Sequence, residues 1–79
     1  MKKINFYTRK KCELCDEALT IVRILQSIYD IEVEIRDIES KETWFEAYHL
    51  EIPVIEGAGE FLLGNEMGYD EIEEFVKRL

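Results

Sequence analysis

The sequence predicts an α/β domain: a mixed four-stranded sheet flanked by three helices, in the order βαβαββα. Three observations carry this. The first half alternates short apolar strands with a long stretch of helical period, a pattern that favours parallel pairing of its two strands. The second half holds two short apolar runs around Gly57-Ala58-Gly59, which reads as a hairpin. The chain then closes on Ile72, Phe75, Val76 and Leu79, spaced i, i+3, i+4 and i+7 along one helix face.

Lys3 to Thr8 alternates and is rich in Ile, Phe and Tyr, so it is expected as the first strand. Arg9-Lys10-Lys11 is a basic loop. From Cys12 to about Tyr29 there is no Gly or Pro, and Leu14, Ala18, Leu19, Ile21, Val22, Ile24, Leu25, Ile28 and Tyr29 fall at helical spacings. That stripe is wide, and predicts a helix buried over much of its circumference against a sheet. Ile31, Val33, Ile35 and Ile38 mark a second strand. Ser40 is a candidate cap for a second helix carrying Trp44, Phe45, Ala47, Tyr48 and Leu50, although Thr43 does not complete a capping box. Ile52-Pro53-Val54-Ile55 predicts a short strand opened by the only proline, and Phe61-Leu62-Leu63 its return, ended by Gly64-Asn65. For the last helix, Asp70 with Glu73 three residues later matches a capping box, and Lys77 and Arg78 complement the dipole in the last turn.

The length of 79 residues predicts one domain, residues 1–79, near the lower size at which a core suffices without staples. At 47% hydrophobic residues that core is attainable. A formal net charge of -8 repels phosphate backbones and anionic membrane surfaces, so neither nucleic acid nor a membrane is an expected partner. No stretch approaches the ~20 apolar residues of a membrane span. The basic-then-apolar start, Met1 to Tyr7, is too short for a signal peptide and reads as a strand. A cytoplasmic monomer is therefore expected. In that compartment a structural disulfide is unusual, and one between residues three apart closes too small a loop to stabilise much.

Cys12-Glu13-Leu14-Cys15 falls where the first strand gives way to the first helix. A free thiol titrates near ~8.5, and a helix start or nearby cations bring this down, so Cys12 is expected to ionise more readily than free cysteine. Arg9, Lys10 and Lys11 stand just upstream; Glu13, Asp16 and Glu17 oppose them and limit the effect. The thiolate is the species that attacks a disulfide. Cys15, one turn on, should be less exposed and within reach to resolve the mixed disulfide. Other readings of the pair are two buried cysteines acting as small hydrophobes, a redox-silent pair, or half of a zinc or cluster site. A zinc site needs about four ligands, and one chain offers two cysteines and the distant His49, so no metal site is assigned to it.

The chain resembles glutaredoxins and glutaredoxin-like members of the thioredoxin superfamily along essentially its whole length. The resemblance rests on Thr8-Arg9-Lys10-Lys11-Cys12-Glu13-Leu14-Cys15-Asp16-Glu17-Ala18, on Ile52-Pro53-Val54, and on Met67-Gly68-Tyr69-Asp70-Glu71-Ile72. It is nearest to a little-characterised branch of small glutaredoxin-like proteins with Cys-x-Leu-Cys followed by acidic residues. It implies a thioredoxin fold and a thiol-disulfide oxidoreductase in which Cys12 attacks and Cys15 resolves. Pro53 matches the family's cis-proline, and backbone groups of Ile52 would pair with an extended substrate segment. Arg9 stands where glutaredoxins carry a lysine on a glutathione carboxylate. Gly68 and Asp70 match part of the segment that holds the γ-glutamyl end. Bland alternatives are a trans proline opening an edge strand, a solvated cation at Arg9, and Asp70 as a plain helix cap. With Glu13 and Leu14 between the cysteines, the implied substrate-binding set is Arg9, Glu13, Leu14, Ile52, Pro53, Gly68 and Asp70.

The departures bear on glutathione. Glu13 and Leu14 replace the family's Pro-Tyr, Glu51 replaces the threonine before Ile52-Pro53, and Met67 replaces the first of two glycines. The implied partners are a disulfide-containing protein or a glutathione mixed disulfide, with glutathione or a reductase as electron donor. No bound cofactor is expected; glutathione is at most a co-substrate. Two further readings stand beside this one. In the first, a redox-sensing interaction module docks through Leu14, Ile52 and Met67. In the second, a metal or cluster carrier uses Cys12 and Cys15 of two chains.

Overall fold

The computed structural model describes residues 2–79; Met1, the head of the basic-then-apolar start, lies outside them. The strands are β1 (Lys2–Thr8), β2 (Ile31–Asp37), β3 (Val54–Gly57) and β4 (Glu60–Leu62), and the helices α1 (Glu13–Gln26), α2 (Glu42–Tyr48) and α3 (Tyr69–Arg78). Short 3-10 turns at Ile38–Ser40 and Gly64–Glu66 precede α2 and α3. The sheet order is β2-β1-β3-β4, with β1 and β2 parallel and the other pairs antiparallel. The expected βαβαββα order and mixed sheet are present.

Register sorts the side chains into two faces. Phe6 lies opposite Ile35 on one side and Ile55 on the other, and Ile55 opposite Leu62. This face, with Ile4 and Ile31, packs against Ala18, Val22 and Leu25 of α1 and Ile72, Phe75 and Val76 of α3. On the opposite face Tyr7, paired with Val54, meets Ile38 together with the half-buried Trp44, Tyr48, Ile52 and Leu63.

Several element ends differ from expectation for local reasons. α1 stops at Gln26, because Ser27 caps it: the Ser27 hydroxyl and N–H both donate to the Ile24 carbonyl, at 2.6 and 3.0 Å. Its buried stripe is narrower than the sequence suggests: Cys15, Ala18, Val22 and Leu25 are buried, whereas Leu14, Ile24 and Ile28 are exposed. Ser40 does not cap α2. Its hydroxyl donates to the Asp37 carbonyl at 2.6 Å and closes the 3-10 turn, which Asp37 itself caps by accepting from Glu39 N–H. The chain then extends through Lys41 before α2 begins.

The hairpin turn is Ala58-Gly59 alone, both at positive φ (51° and 80°), the conformation that a two-residue connection between twisted strands requires. Gly57 belongs to β3, where a Cβ would press on Leu79 and on the Lys3 carbonyl. Ile52 and Pro53 precede β3 rather than opening it. Asp70 is not the cap of α3. The helix starts two residues earlier, with Gly68 as its N-cap, and Asp70 sits in the first turn with Glu71. Glu73, its expected capping partner, instead accepts a hydrogen bond from the Tyr29 hydroxyl at 2.9 Å.

Candidate active site

The end of β1 sets the position of the cysteines. Tyr7 pairs with Val54, so the chain leaving β1 at Thr8 runs beside the Ile52-Pro53 segment that enters β3. Arg9 to Lys11 then turn the chain into α1. Lys11 makes the sharpest part of that turn at φ 57°, a left-handed conformation that costs a side-chain-bearing residue about 1–2 kcal/mol. Cys12 follows as the N-cap of α1 in extended conformation, and its sulfur accepts the Cys15 N–H at 3.1 Å. This bond answers one of the unpaired donors at the helix start. A thiolate at the same place would receive it more strongly, since charged acceptors make the stronger hydrogen bonds.

Cys12 and Cys15 are joined as a disulfide, with Cα atoms 5.2 Å apart. Cys15 is 1% exposed, packed beneath the first turn, while Cys12 is only partly covered. Cys15 is thus the less exposed of the two sulfurs, as its place one turn further along predicts. Glu13 and Leu14 point outward between them, Leu14 63% exposed. Among the described residues no group of three or more His, Cys, Asp or Glu gathers into a metal-holding cluster. His49 stacks on Phe45, with ring centroids 4.9 Å apart, at the surface of the α2 end.

The Ile52–Pro53 peptide is cis, and Pro53 is buried. One expectation at this loop is corrected. The Ile52 N–H donates to the Tyr48 carbonyl at 3.1 Å, continuing the end of α2, so it is not free for a substrate strand. Its carbonyl accepts no hydrogen bond among the described residues. The loop is held from the other side by Gly64, whose N–H donates to the Glu51 carbonyl at 2.9 Å. A Cβ on Gly64 would lie 2.7 Å from that carbonyl oxygen and 2.8 Å from the Ile52 oxygen. Glycine is needed here for close backbone approach rather than for positive φ, and this contact brings residues 64–68 alongside Pro53. In the sequence Gly64 carried only the signal of a strand end.

The other expected site residues are placed differently from one another. Arg9 donates to Glu39 Oε2 at 2.9 Å and its guanidinium lies 5.9 Å from the Phe45 ring centroid, so it is an engaged cation. Gly68 caps α3, and the Glu71 carboxylate folds back into the space that a Cβ on Gly68 would take. Asp70 is exposed, on the rim of a shallow hollow with Leu62, Glu66, Glu71, Glu74 and Arg78; neither cysteine lines it. Ile52 and Met67 are half-buried against the two core clusters, so the apolar docking patch expected around the cysteines reduces to Leu14, with Leu50 exposed at the α2 end. In the sequence Glu39 carried no signal, and Glu71 only its place in the Met67–Ile72 segment of the resemblance.

Beneath the Pro53 loop the second face is polar and aromatic. The Arg36 guanidinium lies 5.4 Å from the Tyr7 ring centroid and 5.0 Å from that of Trp44, and donates to the Tyr7 hydroxyl at 2.7 Å. It also pairs with Glu34, which Lys3 reaches at 3.2 Å. These two cations hold the Glu34 carboxyl below its ordinary value, the Arg36 hydrogen bond being the larger cause. Tyr7 and Tyr48 rings pack at 4.3 Å, and burial raises the Tyr48 hydroxyl above its usual range.

The family described as "Glutaredoxin-like domain (DUF836)" matches residues 3–77. The chain belongs to that family. Solved structures with the same thioredoxin fold agree. Protein XcR50 from X. campestris superposes with a TM-score of 0.81 at 19% identity, over 96% of this chain and 97% of its own. Protein Ne2328 from Nitrosomonas europaea gives 0.76 at 26% identity, over 94% and 89%. A mutant thioredoxin from Halobacterium salinarum gives 0.74 at 18% identity, over 98% of this chain and 73% of its own. This glutaredoxin-like domain therefore carries its Cys12–Cys15 pair at the strand-to-helix junction of a thioredoxin fold. No helix among its described residues is long and apolar enough to cross a membrane.

Proposed function

We propose that the protein is a thiol-disulfide oxidoreductase working through Cys12 and Cys15. The observation that carries this reading is the asymmetric pair: a partly exposed sulfur at the N-cap of α1, joined to a buried sulfur one turn below. In the reduced protein the Cys12 thiolate attacks one sulfur of a substrate disulfide. The substrate S–S bond breaks, a mixed disulfide to Cys12 forms, and the first substrate thiolate leaves and takes a proton from water. The Cys15 thiolate then attacks the Cys12 sulfur, closes the Cys12–Cys15 bond, and releases the second substrate thiol. Two electrons pass from the dithiol to the substrate, and an external thiol, glutathione or the dithiol of a reductase, returns them.

No resident cofactor enters this scheme, and the protein acts as a monomer in the reducing cytoplasm, away from membranes and nucleic acid. Arg9, Glu13, Leu14, the Ile52 carbonyl, Pro53, Gly68 and Asp70 form the proposed surround of the reacting sulfur. Insulin reduction and a glutathione-linked mixed-disulfide assay test the proposal, with Cys12→Ser as control. Turnover in at least one assay, lost in Cys12→Ser, is expected. Absence of turnover in both, whichever reductant is supplied, contradicts it.

A second reading, a redox sensor that changes a protein contact without turnover, draws on Leu14, which is exposed between the two cysteines. Capture of a partner by only one redox state, without insulin reduction, would favour it.

A further inference from the structure

The edge strand of a sheet leaves every second residue's N–H and C=O without a ladder partner, and so can take up a further strand. This sheet has two edges. β4 is only three residues long. β2 is seven residues long and holds neither proline nor glycine. One bond fixes its backbone phase: the Lys2 N–H donates to the Asp30 carbonyl at 3.3 Å. The even-numbered residues of β2 therefore turn their backbone groups toward β1, and the odd-numbered ones turn theirs outward.

Both ends of the outer edge are closed by this chain. The Ile31 N–H donates to the Tyr29 carbonyl at 3.0 Å, and the Ile31 carbonyl accepts from the Gln26 side chain at 3.3 Å. At the other end the Asp37 carbonyl accepts from the Ser40 hydroxyl at 2.6 Å. Between them, the outward N–H and C=O groups of Val33 and Ile35 meet no hydrogen-bonding partner among the described residues.

The side chains along this gap define what fits it. Val33 and Ile35 lie on the α1 side of the sheet, Val33 against the core and Ile35 43% exposed. On the opposite side stand Glu32, Glu34 and Arg36. Glu32 is exposed and in no ion pair among the described residues, whereas Arg36 is held by Glu34 and the Tyr7 hydroxyl. A second copy of the chain fits poorly in antiparallel pairing. Centred on Val33 it sets Glu32 against Glu34 twice, and centred on Glu34 it sets the two Glu34 carboxylates together. Centred on Ile35 it brings Val33 to Asp37, whose carbonyl is already engaged.

We propose that the β2 edge between Ile31 and Asp37 is a docking site for an extended segment of another protein, added as a fifth, antiparallel strand. The segment alternates apolar and basic side chains. Its backbone pairs with Val33 and Ile35, its apolar residues extend the Val33–Ile35 face, and its basic residues stand opposite Glu32 and Glu34. Main-chain bonds supply the attraction and the alternate side chains the selectivity. Neither cysteine belongs to this edge, so the same binding is expected with the Cys12–Cys15 pair oxidised or reduced.

The test is an amide NMR titration of the full chain with the peptide acetyl-Thr-Val-Lys-Val-Lys-amide, which places its valines opposite Ile35 and Val33 and its lysines opposite Glu34 and Glu32. Saturable shifts centred on Val33 and Ile35 are expected. With peptide at ten times its measured Kd, about one molecule in eleven stays free, so water exchange of the Val33 and Ile35 amides should slow roughly tenfold. Glu32→Lys should weaken this peptide about fivefold, the scale of an exposed cross-strand charge pair, and should bind more tightly than the parent a peptide whose last lysine is glutamate. Ile35→Pro removes an outward donor and leaves the bonds to β1, which the even-numbered residues make, so saturable binding should be lost while the Glu34 amide stays protected.

Absence of saturable shifts at Val33 and Ile35, or shifts centred elsewhere, overturns the proposal. So does a Glu32→Lys protein that binds the two peptides as the parent does. Concentration-dependent self-association that protects the same two amides without peptide makes a second copy the occupant and overturns it as well.

Discussion

The two faces of the sheet are covered unequally. On one, α1 and α3 close over Ile4, Phe6 and Ile55, with Ile72 and Phe75 of α3 buried in the same cluster. On the other, α2 is seven residues long, buries none of its own residues fully, and covers the sheet only around Tyr7 and Val54. There the packing is done by half-buried aromatic rings with Arg36 and Lys41 over their faces. The contrast separates two tasks. The apolar face holds the domain together, and Cys15 belongs to that side through α1. The aromatic face packs beneath the Pro53 loop, with Ile52 and Val54 against Tyr7, Trp44 and Tyr48.

Removing a ring from each face measures this division. Phe75→Ala empties a fully buried site and should cost about 3–5 kcal/mol of stability, read by urea unfolding. Gly64→Ala places a methyl against the carbonyls of Glu51 and Ile52. It should cost about 1–3 kcal/mol as an overpacking change and lower disulfide reduction by more than its stability loss predicts, because it moves the Pro53 loop. Trp44→Ala, at a half-buried ring with two cations near it, should cost about 1–2 kcal/mol, well below Phe75→Ala. A Trp44→Ala cost equal to that of Phe75→Ala would erase the distinction between the faces.

Smaller effects refine it. The Tyr29 hydroxyl, donating to Glu73, titrates above its ordinary 10.0, chiefly because its ionised form would lose that hydrogen bond and face the carboxylate. Its contribution is fully present below pH 10 and lost as pH rises through the raised value, so alkaline unfolding of Tyr29→Phe should be less steep than that of the parent. Lys11→Gly relieves the left-handed strain beside Cys12 but loosens the unfolded chain, and should stabilise by at most about 1 kcal/mol.

Much of this was legible in the sequence because period and spacing are local. The strand alternation in β1 and β2, the α3 stripe through Ile72, Phe75 and Val76, and the cysteines at a strand-to-helix junction all survive in the structure. What was not legible depends on contacts across the chain. Ser40 and Asp70 have the chemistry of helix caps, yet Lys41 and Gly68 stand at the starts of α2 and α3, because the preceding turns set where each helix could begin. The breadth of the α1 stripe was misread because a four-stranded sheet with one neighbouring helix covers only one side of it. Arg9 reads in the sequence as a carboxylate contact or a solvated cation, and neither reading includes its pairing with Glu39, thirty residues away. Gly64 and the engaged Ile52 N–H are backbone contacts that no side-chain pattern encodes.

The division of labour between the two sulfurs is tested most directly by trapping. A Cys15→Ser protein mixed with a cystine-containing peptide should stop at the mixed disulfide, with one peptide half bound to Cys12 by mass and released by dithiothreitol. The Cys12→Ser protein, treated alike, should carry none, because its remaining thiol at Cys15 is buried. An adduct that forms on Cys15 rather than Cys12, or no adduct on a Cys12 that still alkylates freely, would contradict the account.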